Sequence, residues 1–123
     1  MSKPLLVVLK NTESPALVAT IEDKLSVFQR LVGGYIENIQ LQRSGRSVIG
    51  LVVNEMGAVP HDAYPGSSRG EPLPYHFSIP GRAGETHIHG NVVIAKYTSA
   101  GDNESLTAEE AEHWRKTLNN WAG

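Results

Sequence analysis

The stretch Leu31-Val32-Gly33-Gly34-Tyr35-Ile36-Glu37-Asn38-Ile39-Gln40-Leu41 constrains the fold more than any other part of the chain. It reads as the end of a helix, a double-glycine reversal and the strand that follows. Gly33 and Gly34 can take the left-handed backbone that stops a helix, so the chain turns directly into Tyr35. Upstream, Leu25, Phe28, Leu31 and Val32 recur at helical spacing, with Asp23 placed as an N-cap. Downstream, Tyr35, Ile39 and Leu41 alternate with polar positions, as a half-buried strand should.

The flanking segments extend this pattern. Leu5–Leu9 and Ala16–Ile21 are apolar runs joined by the turn Asn11-Thr12-Glu13-Ser14-Pro15, which predicts a hairpin. Ser44-Gly45-Arg46-Ser47 turns the chain into a strand over Val48–Val53, closed by Asn54-Glu55-Met56-Gly57. A second strong strand is expected within His87–Tyr97. Near the C-terminus, Thr107-Ala108-Glu109-Glu110 matches a capping box, followed by an apolar helical face of Ala111, Trp114, Leu118 and Trp121. The two tryptophans are read as core or dimer contacts. The order β-β-α-β-β-loop-β-α implies an α+β fold: an antiparallel or mixed sheet of about five strands with two helices packed on one face.

At 123 residues the chain is read as one domain, 1–123, interrupted by a long Pro/Gly-rich loop at about 57–86. Between Pro60 and Gly84 lie five of the seven prolines, together with Gly66, Gly70, Gly81 and Gly84. Short ordered pieces are expected within it around Ala63-Tyr64 and Tyr75-His76-Phe77. Loops of this length without periodicity are usually functional or disordered.

Composition excludes several classes. With no cysteine there is no disulfide scaffold, thiolate metal site or thiol nucleophile, which fits a reducing cytoplasm. The apolar run after Met1-Ser2-Lys3-Pro4 is too short for a signal peptide or a membrane span, so an intracellular protein, with no membrane partner, is expected. Eleven basic residues scattered against thirteen acidic ones argue against sequence-specific nucleic-acid binding.

The landmarks together resemble an uncharacterised small-domain family, domain of unknown function 3846. The resemblance is carried by Leu31–Glu37, Leu51-Val52-Val53-Asn54-Glu55-Met56-Gly57, Gly90-Asn91-Val92-Val93-Ile94-Ala95 and Ser105-Leu106-Thr107-Ala108-Glu109-Glu110, in that order. It spans about residues 5 to 120. It implies a setting on phages and conjugative elements, among accessory and anti-defence genes, and hence a role in blunting host immunity. It supplies no catalytic residues.

Four of the five histidines, His61, His76, His87 and His89, fall between positions 61 and 89. Residues two apart in a strand share a side, so His87 and His89 can present two imidazoles together. With His76, and Asp62 or Glu85, they would make the nitrogen-rich set that zinc or iron prefers. The alternative for this pair is a strand start with polar side chains facing solvent, and no cofactor is expected. His76-Phe77-Ser78 has the His-x-Ser form of two-histidine phosphodiesterases, without a second copy. Ser67, Ser68 and Ser78 lack a nucleophile-elbow context, and Gly81-Arg82-Ala83-Gly84 is not a phosphate loop. Asn54-Glu55 reads as turn chemistry and Glu37 as a solvated strand residue.

Recognition is the chemistry these residues suit best. Arg69 and Arg82 can clamp a phosphate, and Tyr64, Tyr75, His61, His76, His87 and His89 can stack on a base or hydrogen-bond to a ligand. The resulting expectation is a non-catalytic, anti-defence binding protein that sequesters a small anionic, nucleotide-type immune signal. It is expected to form a homo-oligomer, a dimer or higher. Two alternatives are a histidine- or metal-dependent phosphoesterase acting on a nucleotide, and a protein inhibitor of a host defence protein.

Overall fold

A computed structural model of the chain describes residues 3–55, 75–81 and 84–122. The first hairpin is β1 (Pro4–Lys10) and β2 (Leu17–Glu22), paired in unbroken antiparallel register. The Asn11 side-chain oxygen accepts hydrogen bonds from the backbone N–H groups of Glu13 and Ser14, closing the turn between them. Helix α1 (Leu25–Val32) leads to β3 (Ile36–Ser44) and β4 (Ser47–Asn54). A second hairpin, β5 (Tyr75–Gly81) and β6 (Gly84–His89), precedes β7 (Val92–Thr98), the short β8 (Asn103–Glu104) and α2 (Ala108–Ala122). The main sheet runs β2-β1-β7-β4-β3 with β8 added to β7, and all its pairings are antiparallel; β5 and β6 form a separate two-stranded sheet.

The α+β class is therefore as expected, with six strands in the main sheet and two helices among the described residues. The placement of the helices differs from expectation, for they lie on opposite faces. One apolar cluster joins Val8, Ile49, Leu51, Val53, Val92 and Ile94 to Ala111, Trp114 and Leu118 of α2, and to Phe77, Ile79 and Ile88 of the β5–β6 hairpin. The other joins Leu5, Val7, Val52, Val93 and Ala95 to Phe28 and Val32 of α1. The physical reason is visible along β4, where Val48 through Val53 are all buried. A strand with one wet face alternates, whereas a continuous buried run needs cover on both sides.

The end of α1 follows the double-glycine reading. Gly33 has a φ of 83°, and the N–H groups of Gly33 and Gly34 both donate to the Gln29 carbonyl, at 2.8 and 2.9 Å. The Gly34 bond is the six-to-one closure of a Schellman motif. Asn54, at the end of β4, donates through Nδ2 to the Val32 carbonyl at 3.1 Å, so the strand's last residue satisfies a helix-terminal acceptor. The start of α1 is a correction: Asp23 is not the N-cap. Lys24 holds that position in extended backbone with no side-chain cap, and Asp23 instead accepts a 2.7 Å hydrogen bond from Asn103. A second correction concerns His87–Tyr97, where Gly90 with a φ of 82° separates β6 from β7.

Helix α2 keeps its capping box. The Glu110 N–H donates to Thr107 Oγ1 at 3.1 Å, and the Thr107 N–H donates to Glu110 Oε1 at 2.9 Å. Lys96 Nζ on β7 also reaches Glu110, at 3.1 Å. Trp114 is buried, and Trp121 stacks at 6.2 Å from Phe77, which docks the β5–β6 hairpin onto the helix. Among the described residues no helix is long and apolar enough to cross a membrane.

Two stability predictions follow from these ends. Gly33→Ala forces a side chain into left-handed backbone and should cost about 1 kcal/mol in urea unfolding. Gly34→Ala should cost at least as much, because its Cβ would lie 2.9 Å from Asn54 Nδ2 and displace the cap. The second prediction concerns pH. Burial alone would raise the Glu110 pKa, but hydrogen bonds from Thr107 and the Lys96 ammonium outweigh it and hold the carboxyl below its ordinary 4.5. A lowered folded pKa stabilises above the unfolded value and is lost as pH falls through the folded one. Glu110→Gln should therefore cost about 1 kcal/mol at neutral pH. Its deficit against the parent protein should shrink below pH 4.5, as read by unfolding curves across pH.

Candidate functional site

The β5–β6 hairpin carries the residues of most chemical interest. Phe77, Ile79 and Ile88 turn into the core, which leaves Ser78, His87 and His89 on the hairpin's other side. His87 is exposed and His89 half-buried. Ser78 stands directly across from His87, and Ser78 Oγ lies 2.8 Å from His87 Nδ1, a hydrogen bond that orients the imidazole. His87 and His89 thus share one side of β6, as the two-residue spacing predicts.

Beside this hairpin is a cleft of about 190 Å³. One wall is Thr86 to His89 of β6; the other is Glu37 and Ile39 of β3 with Val53, Asn54 and Glu55 at the end of β4. Glu37 and Val53 are paired across the ladder, and the Glu55 N–H donates to the Tyr35 carbonyl, so both carboxylates rise from hydrogen-bonded backbone. The cleft is also a topological junction. Segment 56–74 departs at Glu55 and the chain resumes at Tyr75, whose register partner is His89. Of the two residues that flank segment 56–74, Glu55 lines the cleft and Tyr75 is paired with His89, which also lines it.

A larger cavity, about 220 Å³, lies at the C-terminal end of β1, between Leu9, Leu17, Leu31 and Val93. It offers less chemistry. Its one cation, Lys10, is buried and donates to the carbonyls of Asn11 and Ser14, which fastens the β1–β2 turn. The smaller cleft is lined by carboxylates, imidazoles and a hydroxyl, the residue types with which ligand pockets fix orientation.

Not every residue singled out in the sequence can be placed. His61, Asp62, Tyr64, Ser67, Ser68, Arg69 and Arg82 lie outside the described residues, as does the Ala63-Tyr64 piece. Tyr75 and His76 open β5, so the expected ordered piece there is present, but their side chains, like that of Glu85, lie outside the described residues. Among the described residues no group of three or more His, Asp or Glu side chains is arranged to hold a metal. Asn54 serves as a cap on α1, while Glu37 and Glu55, read from sequence as a solvated position and turn chemistry, line the cleft. Nothing local marks those two carboxylates; they meet β6 only through the tertiary fold.

A comparison with known families matches residues 3–119 to the family described as a domain of unknown function, DUF3846. The chain belongs to that family. The match takes in every described strand, both hairpins and nearly all of α2, so the cleft lies wholly within the DUF3846 domain. No curated protein and no solved structure matches the chain.

The Ser78–His87 contact can be checked directly. Ser78→Ala should leave the melting temperature close to that of the parent protein, because the pair is exposed and the net value of such a bond is about 1 kcal/mol or less. It should shift the ring nitrogen resonances of His87 and leave those of His113 alone; unshifted His87 signals would mean that the contact is not formed in solution.

Proposed function

We propose that this DUF3846 domain is a non-catalytic binding protein that holds a small anionic, nucleotide-type ligand in the cleft between β6 and the β3–β4 ladder. The observation that supports this most is the junction itself. Glu37, Glu55, His87 and His89 line one cleft, and segment 56–74, which carries Tyr64 and Arg69, follows Glu55 and precedes Tyr75, the partner of His89. A nucleotide needs both kinds of group. Glu37 and Glu55 can accept hydrogen bonds from sugar hydroxyls or base amines, and carboxylates alone would repel a phosphate. His87 and His89 can donate to phosphate oxygens, and Arg69 and Arg82 are the candidates for bidentate clamping.

Sequestration asks nothing more than this. A protein that removes an immune signal needs a ligand pocket in place of a nucleophile, a base or a metal. The family resemblance, with its setting among anti-defence genes of phages and conjugative elements, supports that biological role as an analogy and at the level of context alone.

The hydrolase alternative draws on one specific observation, the 2.8 Å approach of Ser78 Oγ to His87 Nδ1. A serine beside an imidazole is the beginning of an activated nucleophile, though a base must also be oriented by a third group. One experiment separates the readings: a thermal-shift screen with linear and cyclic nucleotides, each ligand recovered and chromatographed afterwards. A ligand at a hundred times its dissociation constant adds about 2.7 kcal/mol of stability. A shift with the ligand recovered intact is the expected result, and cleavage would replace sequestration by catalysis. His89→Ala, Arg69→Ala and Arg82→Ala should each weaken binding about 10- to 100-fold, the range for a charge-assisted hydrogen bond, with the fold intact by circular dichroism. Unchanged affinity in all three would remove this site assignment.

A further inference from the structure

The main sheet has two edges, and they are built differently. At the β3 edge the ladder is interrupted by a bulge between Gln40 and Gln42, and the strand carries Glu37, Asn38, Gln40, Gln42 and Arg43. Bulges and charges of this kind keep an edge from pairing with another chain. The β2 edge has no bulge, and its one charged residue, Glu22, stands at its end. Leu17–Glu22 contains no proline, lysine or arginine, its ladder to β1 is regular throughout, and among the described residues no strand pairs with its outer side. Leu17 and Val18 point to opposite faces of the sheet, yet they are 51% and 37% exposed. Apolar exposure on both faces at one place means that the edge is what lacks cover.

We infer that a second copy of this chain pairs along β2, antiparallel, so that two sheets continue into one across a two-fold axis. The strand's own sequence argues for this occupant. A two-fold axis normal to the sheet keeps each face on its own side, so facing residues must be of like parity. Centred on Ala19, the axis sets Leu17 opposite the partner's Ile21 on the α1 face. On the α2 face it sets Val18 opposite the partner's Thr20. Every facing pair is then apolar or β-branched, the kind of cross-strand pair that stabilises antiparallel sheets. Glu22, the strand's only charged residue, falls beyond the paired stretch and away from its own copy. An axis on Thr20 would instead press Glu22 against Val18. Ala19, on the axis, faces its own copy, and as a small residue it does so without a clash. An edge of this length buries less than a standard interface of about 1,600 Å², so the dimer should be concentration-dependent.

The chain lacks cysteine, which makes the test unambiguous. In an antiparallel pair, residues on the axis face each other with Cα atoms about 4.5 to 5.5 Å apart, within disulfide reach. Ala19→Cys should form a covalent dimer under mild oxidation, and Leu25→Cys on exposed α1 should not. Sedimentation of the parent protein over a wide concentration range should show a monomer–dimer equilibrium. Val18→Lys should weaken it at least tenfold, while Leu25→Lys leaves it unchanged and circular dichroism confirms that both are folded. A parent protein that stays monomeric at every concentration would overturn the inference. So would a dimer indifferent to Val18→Lys, or one in which Ala19→Cys fails to cross-link.

Discussion

The rest of the structure depends on the burial of β4 and β7 from both sides. Val48–Val53 and Val92–Ala95 are continuous apolar runs in neighbouring strands, and every one of those side chains except Gly50 needs a dry contact. Fully burying a Val, Leu or Ile is worth about 1.5–3 kcal/mol, so leaving either face wet would forfeit several such contributions. The fold meets the demand with unlike covers. Among the described residues helix α1 shields the face of Val52 and Val93, while α2 and the β5–β6 hairpin share the face of Leu51 and Ile94. A one-residue slip of β4 against β7 would exchange these two sets of side chains between unequal covers, which pins the register.

This also explains which parts of the fold could be read in advance. Features held by local chemistry were legible: the Gly33-Gly34 reversal, the Thr107–Glu110 capping box, the Asn11–Pro15 turn and the Ala111–Trp121 face. The side on which each helix packs is a tertiary property. Its one sequence signal was the lack of alternation in Val48–Val53, which is easily taken for mere strength of strand character. Asp23 had the right residue type for an N-cap, but Asn103, distant in sequence, engages its carboxylate. The β5–β6 hairpin was hidden by composition. Pro80, Gly81 and Gly84 suggested a loop, although Phe77, Ile79 and Ile88 against Ser78, His87 and His89 show the two-residue period of strands with one buried face.

Legibility of the candidate site divides along the same line. The His87–His89 pair follows from spacing alone, since backbone geometry makes alternate strand residues share a side. Glu37 and Glu55 could not be joined to them from sequence, because no local pattern links β3, the end of β4 and β6. Asn54 shows how close structural and candidate binding roles lie here: its side chain donates to the end of α1, and the same residue forms part of the cleft wall. The helix terminus that announces the fold is thereby tied to the floor of the site.

One consequence of this architecture bears on how the cleft would work. Its two walls belong to different sheets, and among the described residues no hydrogen-bond ladder joins β6 to the β3–β4 pair. The hairpin is held to the body by side chains, through Ile88 against the sheet and the stacking of Phe77 on Trp121. A ligand that hydrogen-bonds to both walls adds polar links to these apolar ones. Binding and hairpin docking would then be coupled, each stabilising the other by the same free energy. In such an arrangement Trp121 would act on affinity from a distance. Truncating it loosens the hairpin without touching the cleft, and the ligand must then supply the ordering that the stacked ring supplied before.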